Sequence, residues 1–562
     1  MWDFEVTTVA LFLVVVLVVL WLSMRRAPGL PPGPPLLPFL GNALSMQSDS
    51  RVLFKNLRQK YGDIFSLYVF HKPVIVLNGY NVLKEAIVKD ADVFSDRGHS
   101  FLTDFYSKGK GIVGTSGDLW HEQRRFTLNT LREFGAGRTI MEDKIHEEIA
   151  HFVLAVEEKK GQGFNIERLV QNAVSNVICS IVFGKRFEYT DPVFVRFLKA
   201  MDELFKNSAI SGILSVFPAV RYLPGDPFKF RKTVDSIDMV ENLMIKPSIK
   251  DHLKDHDEEN RDDFIHVYLK EIQRRQQKQE TTTLDLENLA KTVDDLFTGG
   301  SETTSTTIRW ALVYFLNYPD VQEKCFQEIL ENVGQSRPPS MKDKTNLPYV
   351  EATIMETLRY GNIVPVTIPH TVPHDVQFRG YTFPKGISVV LNLDSVLQDK
   401  DVWGDPQNFR PDRFLDGEGK IQKREEFIPF SLGRRVCLGE SMARMELFLF
   451  LTTMIQKFKF VPVKGEKPPL EGIMGLSLAP CEFQLKAIPR KPQTEQVTSV
   501  AVNQGPIKNL TVVPSNEIPA AMLKNDVLVV HRRKNMRPDD FITVTLNCQI
   551  ALDLNEICPA TV

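Results

Sequence analysis

Cys437 lies in Phe430-Ser431-Leu432-Gly433-Arg434-Arg435-Val436-Cys437-Leu438-Gly439, directly before an amphipathic helix expected to open at Glu440. Unpaired amides and the positive end of a helix dipole at that point lower a thiol pKa and favour the thiolate. A thiolate is a soft ligand for iron. Gly433 and Gly439 permit backbone geometry or a close approach that a β-carbon would obstruct, so the loop can lie against something flat. Arg435 can donate paired hydrogen bonds to a carboxylate, and Phe430 can cover the sulfur and keep water away.

The spacing F-x-x-G-x-R-x-C-x-G resembles the haem-binding loop of the cytochrome P-450 superfamily. The resemblance implies that Cys437 is the axial ligand of a haem iron, with Phe430, Gly433 and Arg435 against the cofactor. Glu356-Thr357-Leu358-Arg359 puts a carboxylate and a guanidinium three residues apart on one helix face. It resembles the family's E-x-x-R, whose partner arginine is here Arg413 of Pro411-Asp412-Arg413-Phe414. Such a cluster is costly to bury and costlier to break, which gives it a structural role beneath the thiolate loop.

Further matches follow. Gly299 and Gly300 stand side by side inside an expected long helix, each costing about 1 kcal/mol against alanine, so a groove is expected there. The segment Gly299 to Thr304 resembles the family's central helix, with Glu302 and Thr303 as its acid–threonine pair; oxygen activation consumes protons, which a hydroxyl backed by a carboxylate can deliver. Trp120 and Arg124, four apart, resemble the family's W-x-x-x-R that holds haem propionates. Arg97 and His370 resemble two more propionate donors of the microsomal branch, beside Arg435. The likeness to microsomal family-2 members extends through Phe94 to Gly98, Trp120 to Phe126 and Arg261 to Ile265. It also places Phe101, Val113, Phe205, Phe297, Gly299, Val364, Thr367 and Leu476 around a mostly apolar substrate pocket.

The implied activity is that of a haem-thiolate monooxygenase: one atom of O2 enters a fatty acid, steroid or foreign lipophile and the other leaves as water. Neither a G-x-G-x-x-G fingerprint nor a flavin domain is present. Electrons must therefore come from NADPH through NADPH–cytochrome P-450 reductase, with cytochrome b5 as a second candidate donor. Arg124, Arg125, Arg132 and Arg138 against the single acid Glu133, with Arg434 nearby, form a basic patch suited to an acidic partner. Two other readings are a haem-thiolate isomerase that needs no external electrons and a non-catalytic haem or lipid binder; the Glu302–Thr303 pair argues against both.

The elements that must position these residues are mainly helical. Apolar spacing at three and four predicts helices over 80–90, 117–133, 140–158, 166–183, 191–207, 234–254, 261–277, 284–317, 319–333, 347–360 and 440–457. Short strands are expected at 64–70, 73–77, 376–378, 381–383 and 387–391, a minor sheet beside a helical mass. Composition agrees: 43% hydrophobic and 25% charged residues are ordinary for a folded chain, and 68 basic against 70 acidic residues leave no charge for nucleic-acid binding. Six cysteines without a C-x-x-C pair suggest a reducing compartment.

Residues 1–24 are expected to form a membrane anchor. The uncharged run from Val6 to Met24 makes a helix of roughly 30 Å, about one hydrocarbon thickness. Arg25 and Arg26 follow it, which sets the catalytic body on the cytosolic side of the endoplasmic reticulum membrane. Residues 25–41 are proline-rich and should be a semi-rigid extended spacer. The cytochrome P-450 domain then covers 42–490, and 491–562 is an atypical extension without a family motif. Within it, Ile542, Val544, Leu546, Cys548, Ile550 and Leu552 alternate with less apolar residues, a period-two strand pattern with no evident partner strand. That segment is either an appended interaction element or an extension without function; no catalytic role is expected of it.

Overall fold

The computed structural model describes residues 8, 11–12, 14–19 and 24–491, except 48, 99–100, 136–139, 212–213, 215–216, 255–262 and 476, together with three short strands beyond 497. The chain divides into two units, Met1–Pro489 and Arg490–Val562. The first is mainly helical with small β-sheets, as expected. Its principal helices here are α1 (Gly117–Gly135), α2 (Glu167–Val182), α3 (Leu286–Asn317), α4 (Pro348–Gly361) and α5 (Glu440–Lys457).

Helix α3 has 32 residues, so its axis runs about 48 Å through the molecule. The Asp285 side chain caps it by accepting from the Asn288 amide at 2.7 Å. Its second half, from Ser301 through Leu316, is almost wholly buried and packs against α2, α4 and α5. One large hydrophobic core joins these helices. Gly300 belongs to that packing: a Cβ there would lie 2.4 Å from Ile178 Cδ1 on α2, so the glycine lets two helices approach. At Gly299 a Cβ would meet nothing within 4 Å. The expected groove is therefore half realised, with Ile178 filling one side and open space beside the other.

The main sheet has five strands. We label them β1 (Ile64–Val69), β2 (Lys72–Leu77), β3 (Asp96–Arg97), β4 (His370–Thr371) and β5 (Ser388–Leu391), and their order is β1-β2-β5-β4-β3. Only β2 and β5 are parallel, with Val74 opposite Ser388. The two-residue strands β3 and β4 escape a period-two search because they are too short to alternate. They pair antiparallel, with Arg97 opposite His370.

The proline-rich segment, expected as a semi-rigid extended spacer, is hydrogen-bonded to the strands beside it. Thr382 and Ser66 donate their amides to Gly29 O and Pro32 O, both at 2.8 Å, so the segment docks along the sheet. The Ser66 hydroxyl donates to Pro31 O at 2.7 Å, and Asn42 Nδ2 donates to Pro35 O at 2.9 Å. Prolines keep their carbonyl acceptors, and the sheet edge supplies donors for them.

The expected span over 6–24 falls partly outside the described residues. Those that are described, at 8, 11–12 and 14–19, are helical, and most of their apolar side chains are exposed. Among the described residues no helix is long and apolar enough to cross a membrane. In the second unit, Thr543–Leu546 pairs with Val527–His531, which pairs with Thr498–Ala501. The expected strand thus has a partner, which corrects the sequence reading; its continuation to Leu552 lies outside the described residues.

Candidate active site

Cys437 sits at the end of a loop closed by backbone bonds: Ser431 N–H to Ile428 O at 3.0 Å, Val436 N–H to Gly433 O at 3.2 Å and Cys437 N–H to Phe430 O at 3.0 Å. Gly433 has φ +75°, and a Cβ there would stand 2.0 Å from Ile87 O. The close approach it permits is therefore to the Ile87 backbone. At Gly439, with φ −90°, a Cβ would meet no protein atom within 4 Å, so no neighbouring protein segment requires the glycine. Phe430 is half-buried against the core, with the Arg444 guanidinium 4.9 Å from its ring.

The Cys437 side chain is open to solvent on one side and crowded by protein on the others. Its thiol pKa is raised, chiefly by that crowding and also by Glu440, while the Gly439 amide and Arg124 pull it down. The net lowering expected at a helix start is thus not found in the protein alone, because desolvation outweighs the amide. Metal coordination deprotonates a thiol outright and overrides this balance.

Around this loop the fold gathers three guanidiniums. Arg435 donates to Ser95 O (2.7 Å), Thr115 O (2.6 Å) and Ile112 O (3.3 Å), and lies 3.8 Å over the Trp120 ring. Arg124, one turn along α1 from Trp120, donates to Val436 O at 2.6 Å. Arg97 donates to Ile368 O at 2.6 Å. None of the three makes an ion pair among the described residues. Burial lowers all three; repulsion from neighbouring guanidiniums adds to it at Arg97, lowered to about 10, and at Arg435, lowered to about 9, while the Cys437 sulfur opposes it at Arg124. His370 Nδ1 meets Phe94 O at 2.7 Å, and burial beside Arg97 holds its pKa at about 3, so the ring is neutral.

Two buried donors in this wall, Trp120 Nε1 and Arg97 Nε, have no hydrogen-bond partner. Uncompensated cations and orphaned N–H groups on one side of an accessible thiol fit an anionic group with a metal centre, and a haem with two propionates has that chemistry. These residues therefore fit the cofactor.

The chain matches the family model for Cytochrome P450 over residues 31–487. It belongs to the cytochrome P450 family. Among curated relatives it is 40% identical to Cytochrome P450 2U1 of Homo sapiens over 495 residues, covering 83% of this chain and 90% of that one. Human Cytochrome P450 2J2 is 40% identical over 474 residues, covering 84% and 93%, and Cytochrome P450 2B4 of Oryctolagus cuniculus is 39% identical over 497 residues, covering 87% and 100%. The P450 is a monooxygenase that uses haem, O2 and electrons from NADPH delivered through a reductase, and it takes a lipophilic substrate.

Beneath the loop, Arg359 Nε and Nη2 donate to the two oxygens of Glu356 at 2.7 and 2.9 Å, and Arg413 Nε donates to Glu356 Oε1 at 3.0 Å. The side chains of Glu356 and Arg359 are fully buried. The spare guanidinium donors reach the carbonyls of Leu397, Pro406, Trp403 and Asn408, so each charge is satisfied.

Within α3, the Thr303 hydroxyl donates back to Gly299 O at 2.7 Å. Glu302 does not hydrogen-bond to Thr303; its Oε1 accepts from Thr306 at 3.1 Å and from Ser477 at 3.4 Å. Burial raises the Glu302 pKa. The remaining pocket candidates are scattered in character. Phe101 stacks on Phe105 and packs against Phe230, and Val113 is exposed. Phe297 is buried between Phe183 and Phe197, in the core. Phe205, Val364 and Thr367 are half-buried, and Leu476 lies outside the described residues.

Sequence reasoning passes over Asp295, whose Oδ2 accepts the amides of Ile112 (2.7 Å) and Val113 (3.0 Å). The Ile112 peptide is thereby held from both ends, by Asp295 on α3 and Arg435 of the thiolate loop. Asp295 is half-buried, and loss of solvent around its carboxyl pushes its pKa up to about 6. Its one signal is the acid pair Asp294-Asp295 inside an otherwise apolar turn. The basic patch is also a shape: Trp120, Arg124, Arg125, Arg132 and Arg434 line a groove of about 330 Å³, while Arg138 lies outside the described residues.

Proposed function

We propose that this P450 is a membrane-anchored monooxygenase of the endoplasmic reticulum that inserts one atom of O2 into a fatty acid, steroid or foreign lipophile. Cys437 holds the haem iron, and Arg97, Trp120, Arg124, His370 and Arg435 receive the propionates. The observation that carries this assignment is the set of three unpaired guanidiniums and orphaned N–H donors around the Cys437 loop. When bound, the haem supplies the iron centre that activates oxygen.

The chain's own residues bind, orient and move protons. Phe430 shields the sulfur, and the buried Glu356–Arg359–Arg413 cluster fixes the segment beneath it. Thr303 and Glu302 pass protons into the pocket, and the mostly apolar lining selects lipophilic molecules. The basic groove on α1 receives NADPH–cytochrome P-450 reductase, with cytochrome b5 as a second donor. Exposed Leu11, Phe12 and Leu17 near the amino terminus support the anchor, and exposed Phe39, Leu44, Tyr222 and Leu223 support contact of the body with lipid. Residues 42–490 carry all of the chemistry, and 491–562 none of it.

The test is incubation of the membrane-bound protein with reductase, NADPH, a lipid extract and isotope-labelled O2. A product with one labelled atom, formed only when reductase and NADPH are present, is expected. Labelled product from Cys437→Ala protein, or turnover without reductase, would overturn the reading.

A further inference from the structure

Glu302 is the only acid assigned to proton delivery, yet no contact on its own helix turn explains how its two oxygens are told apart. Both hydroxyls that reach it meet the same atom, Oε1: Thr306 Oγ1 at 3.1 Å, from one turn along α3, and Ser477 Oγ at 3.4 Å. Oε2 makes no hydrogen bond among the described residues and is not sealed from solvent. Ser477 is the one donor to this carboxyl from outside α3 among the described residues.

The strands on either side of Ser477 are tied to the body of the fold. These strands, Gly472–Met474 and Leu478–Pro480, pair antiparallel. Leu478 N–H donates to Ile363 O at 2.8 Å, Leu478 O accepts from Trp310 Nε1 at 2.8 Å, and Gly475 N–H donates to Ser477 O at 2.9 Å. A Cβ on Gly472 would stand 2.8 Å from Trp310 Cζ2, so this hairpin is seated directly on α3. Ser477 itself is buried. A buried hydroxyl between strands so tied has little freedom to choose another partner.

Resting on the assignment of Glu302 and Thr303 to proton delivery, we propose that Ser477 is a positioning residue for that step: with Thr306 it fixes Oε1 of Glu302 as the acceptor oxygen, so that Oε2 carries the transferable proton. The Thr303 hydroxyl spends its hydrogen on Gly299 O and so accepts a hydrogen bond from pocket water, and that water takes the proton from Oε2 while passing one of its own to the oxygen co-substrate. When the proton leaves Oε2, the electron pair stays on the carboxylate, and the Thr306 and Ser477 bonds become charge-assisted and stronger. The carboxylate is neutral again once solvent returns a proton to Oε2. Burial favours the neutral acid at rest, as do Asp202 and Glu167, while Arg309 opposes them.

The test follows the carboxyl band of Glu302 in the infrared spectrum of the haem-loaded ferric protein, identified by its loss in Glu302→Gln, as pH is varied. Ser477→Ala removes one donor to the carboxylate and should raise the midpoint by about one pH unit, a roughly tenfold change, and Ser477→Thr should restore it. An unmoved midpoint, or failure of Ser477→Thr to restore it, overturns the contact. No turnover is involved, so this arm stands or falls apart from the assignment of Glu302 to catalysis. With a substrate identified by labelled oxygen, Ser477→Ala should raise peroxide per NADPH about two- to tenfold and add nothing in the Glu302→Gln background. Equal effects in both backgrounds overturn the role of Ser477, whereas wild-type peroxide yield from Glu302→Gln overturns the parent assignment instead.

Discussion

Arg97 and His370 stand opposite each other in the ladder between β3 and β4. With His370 held neutral at a pKa of about 3, Arg97 has no cation directly beside it in the ladder, and the repulsion it feels comes from Arg124. The wall proposed to receive the propionates thus carries three guanidinium charges and one neutral donor ring. Asp96 and the Cys437 sulfur offset this charge only in part and no carboxylate of the described residues forms an ion pair with the three, so the wall suits an anion brought from outside.

Trp120→Phe tests the wall without changing its charge. The indole N–H has no protein partner, so its removal breaks no bond in the haem-free chain. The substitution also shrinks a buried side chain whose ring lies 3.8 Å from the Arg435 guanidinium, so the haem-free protein should lose about 1 to 3 kcal/mol of stability through packing alone. Haem should be lost up to about tenfold faster, the equivalent of one missing hydrogen bond to a charged group. Transfer of haem to an acceptor globin measures the second quantity, and denaturant unfolding the first.

Two glycines of the thiolate loop should respond oppositely. Gly433→Ala forces a left-handed backbone on a residue with a β-carbon, 2.0 Å from the Ile87 carbonyl oxygen. Backbone is not free to retreat by the ångström or more that this needs, so the loop should shift and haem incorporation should fall sharply. Gly439→Ala meets no protein atom within 4 Å and needs no unusual φ. Its haem-free form should unfold at the wild-type denaturant midpoint.

These contrasts mark where sequence is informative and where it is not. Trp120, Arg124, Arg435 and Cys437 are legible because their spacing is local or repeats a family pattern, and the fold does bring them around one loop. Long helices such as α3 announce themselves by sustained periodicity. Arg97 and His370 share a wall only through two-residue strands, which leave no periodic trace. The partners of Ser477 and Asp295 are wholly non-local: each is separated from its contact by more than 170 residues, and no spacing rule reaches that far. The docking of the proline-rich segment is hidden for another reason, since prolines are conspicuous for the hydrogen bonds they cannot donate and not for the carbonyls they can offer.

Glu356→Ala should be among the most damaging changes in the chain. It leaves Arg359 buried with its carbonyl contacts but without a counter-charge, and leaves Arg413 with Asp405 alone, at 3.3 Å. Breaking a buried ion cluster by removing one member costs about 3 to 5 kcal/mol. Yield of soluble haem-loaded protein should collapse; recovery at the wild-type level and an unchanged unfolding midpoint would mean that the cluster contributes little.

Asp295 predicts a pH dependence with a definite sign. Its pKa in the folded chain, about 6, lies above the ordinary value near 3.9, so its neutral form favours folding. That contribution is complete below about pH 4 and is lost as pH rises through about 6, a change of about 1 to 3 kcal/mol for a half-buried group. Asp295→Asn cannot titrate, so the difference between its stability and that of the wild type should move in its favour between pH 4.5 and 7.5, by roughly that order. Chemical unfolding at the two pH values is the measurement, and an equal pH response of both proteins would remove Asp295 as its source.

Thr303→Ala separates the proton route from the scaffold around it. The hydroxyl donates only to the carbonyl of Gly299, four residues back on the same helix, a bond that does little for helix stability. Its loss should therefore leave folding, haem content and the absorption of the reduced, carbon-monoxide-bound protein unchanged. If Thr303 passes protons, reducing equivalents should instead be diverted: peroxide formed per NADPH should rise several-fold while NADPH oxidation continues. Helix α3 would remain as it is, with Glu302 still fixed by Thr306 and Ser477, so a loss of coupling could be assigned to the missing hydroxyl and not to a displaced acid. An unchanged ratio of peroxide to NADPH would take Thr303 out of the route and leave Glu302 to deliver protons through solvent alone.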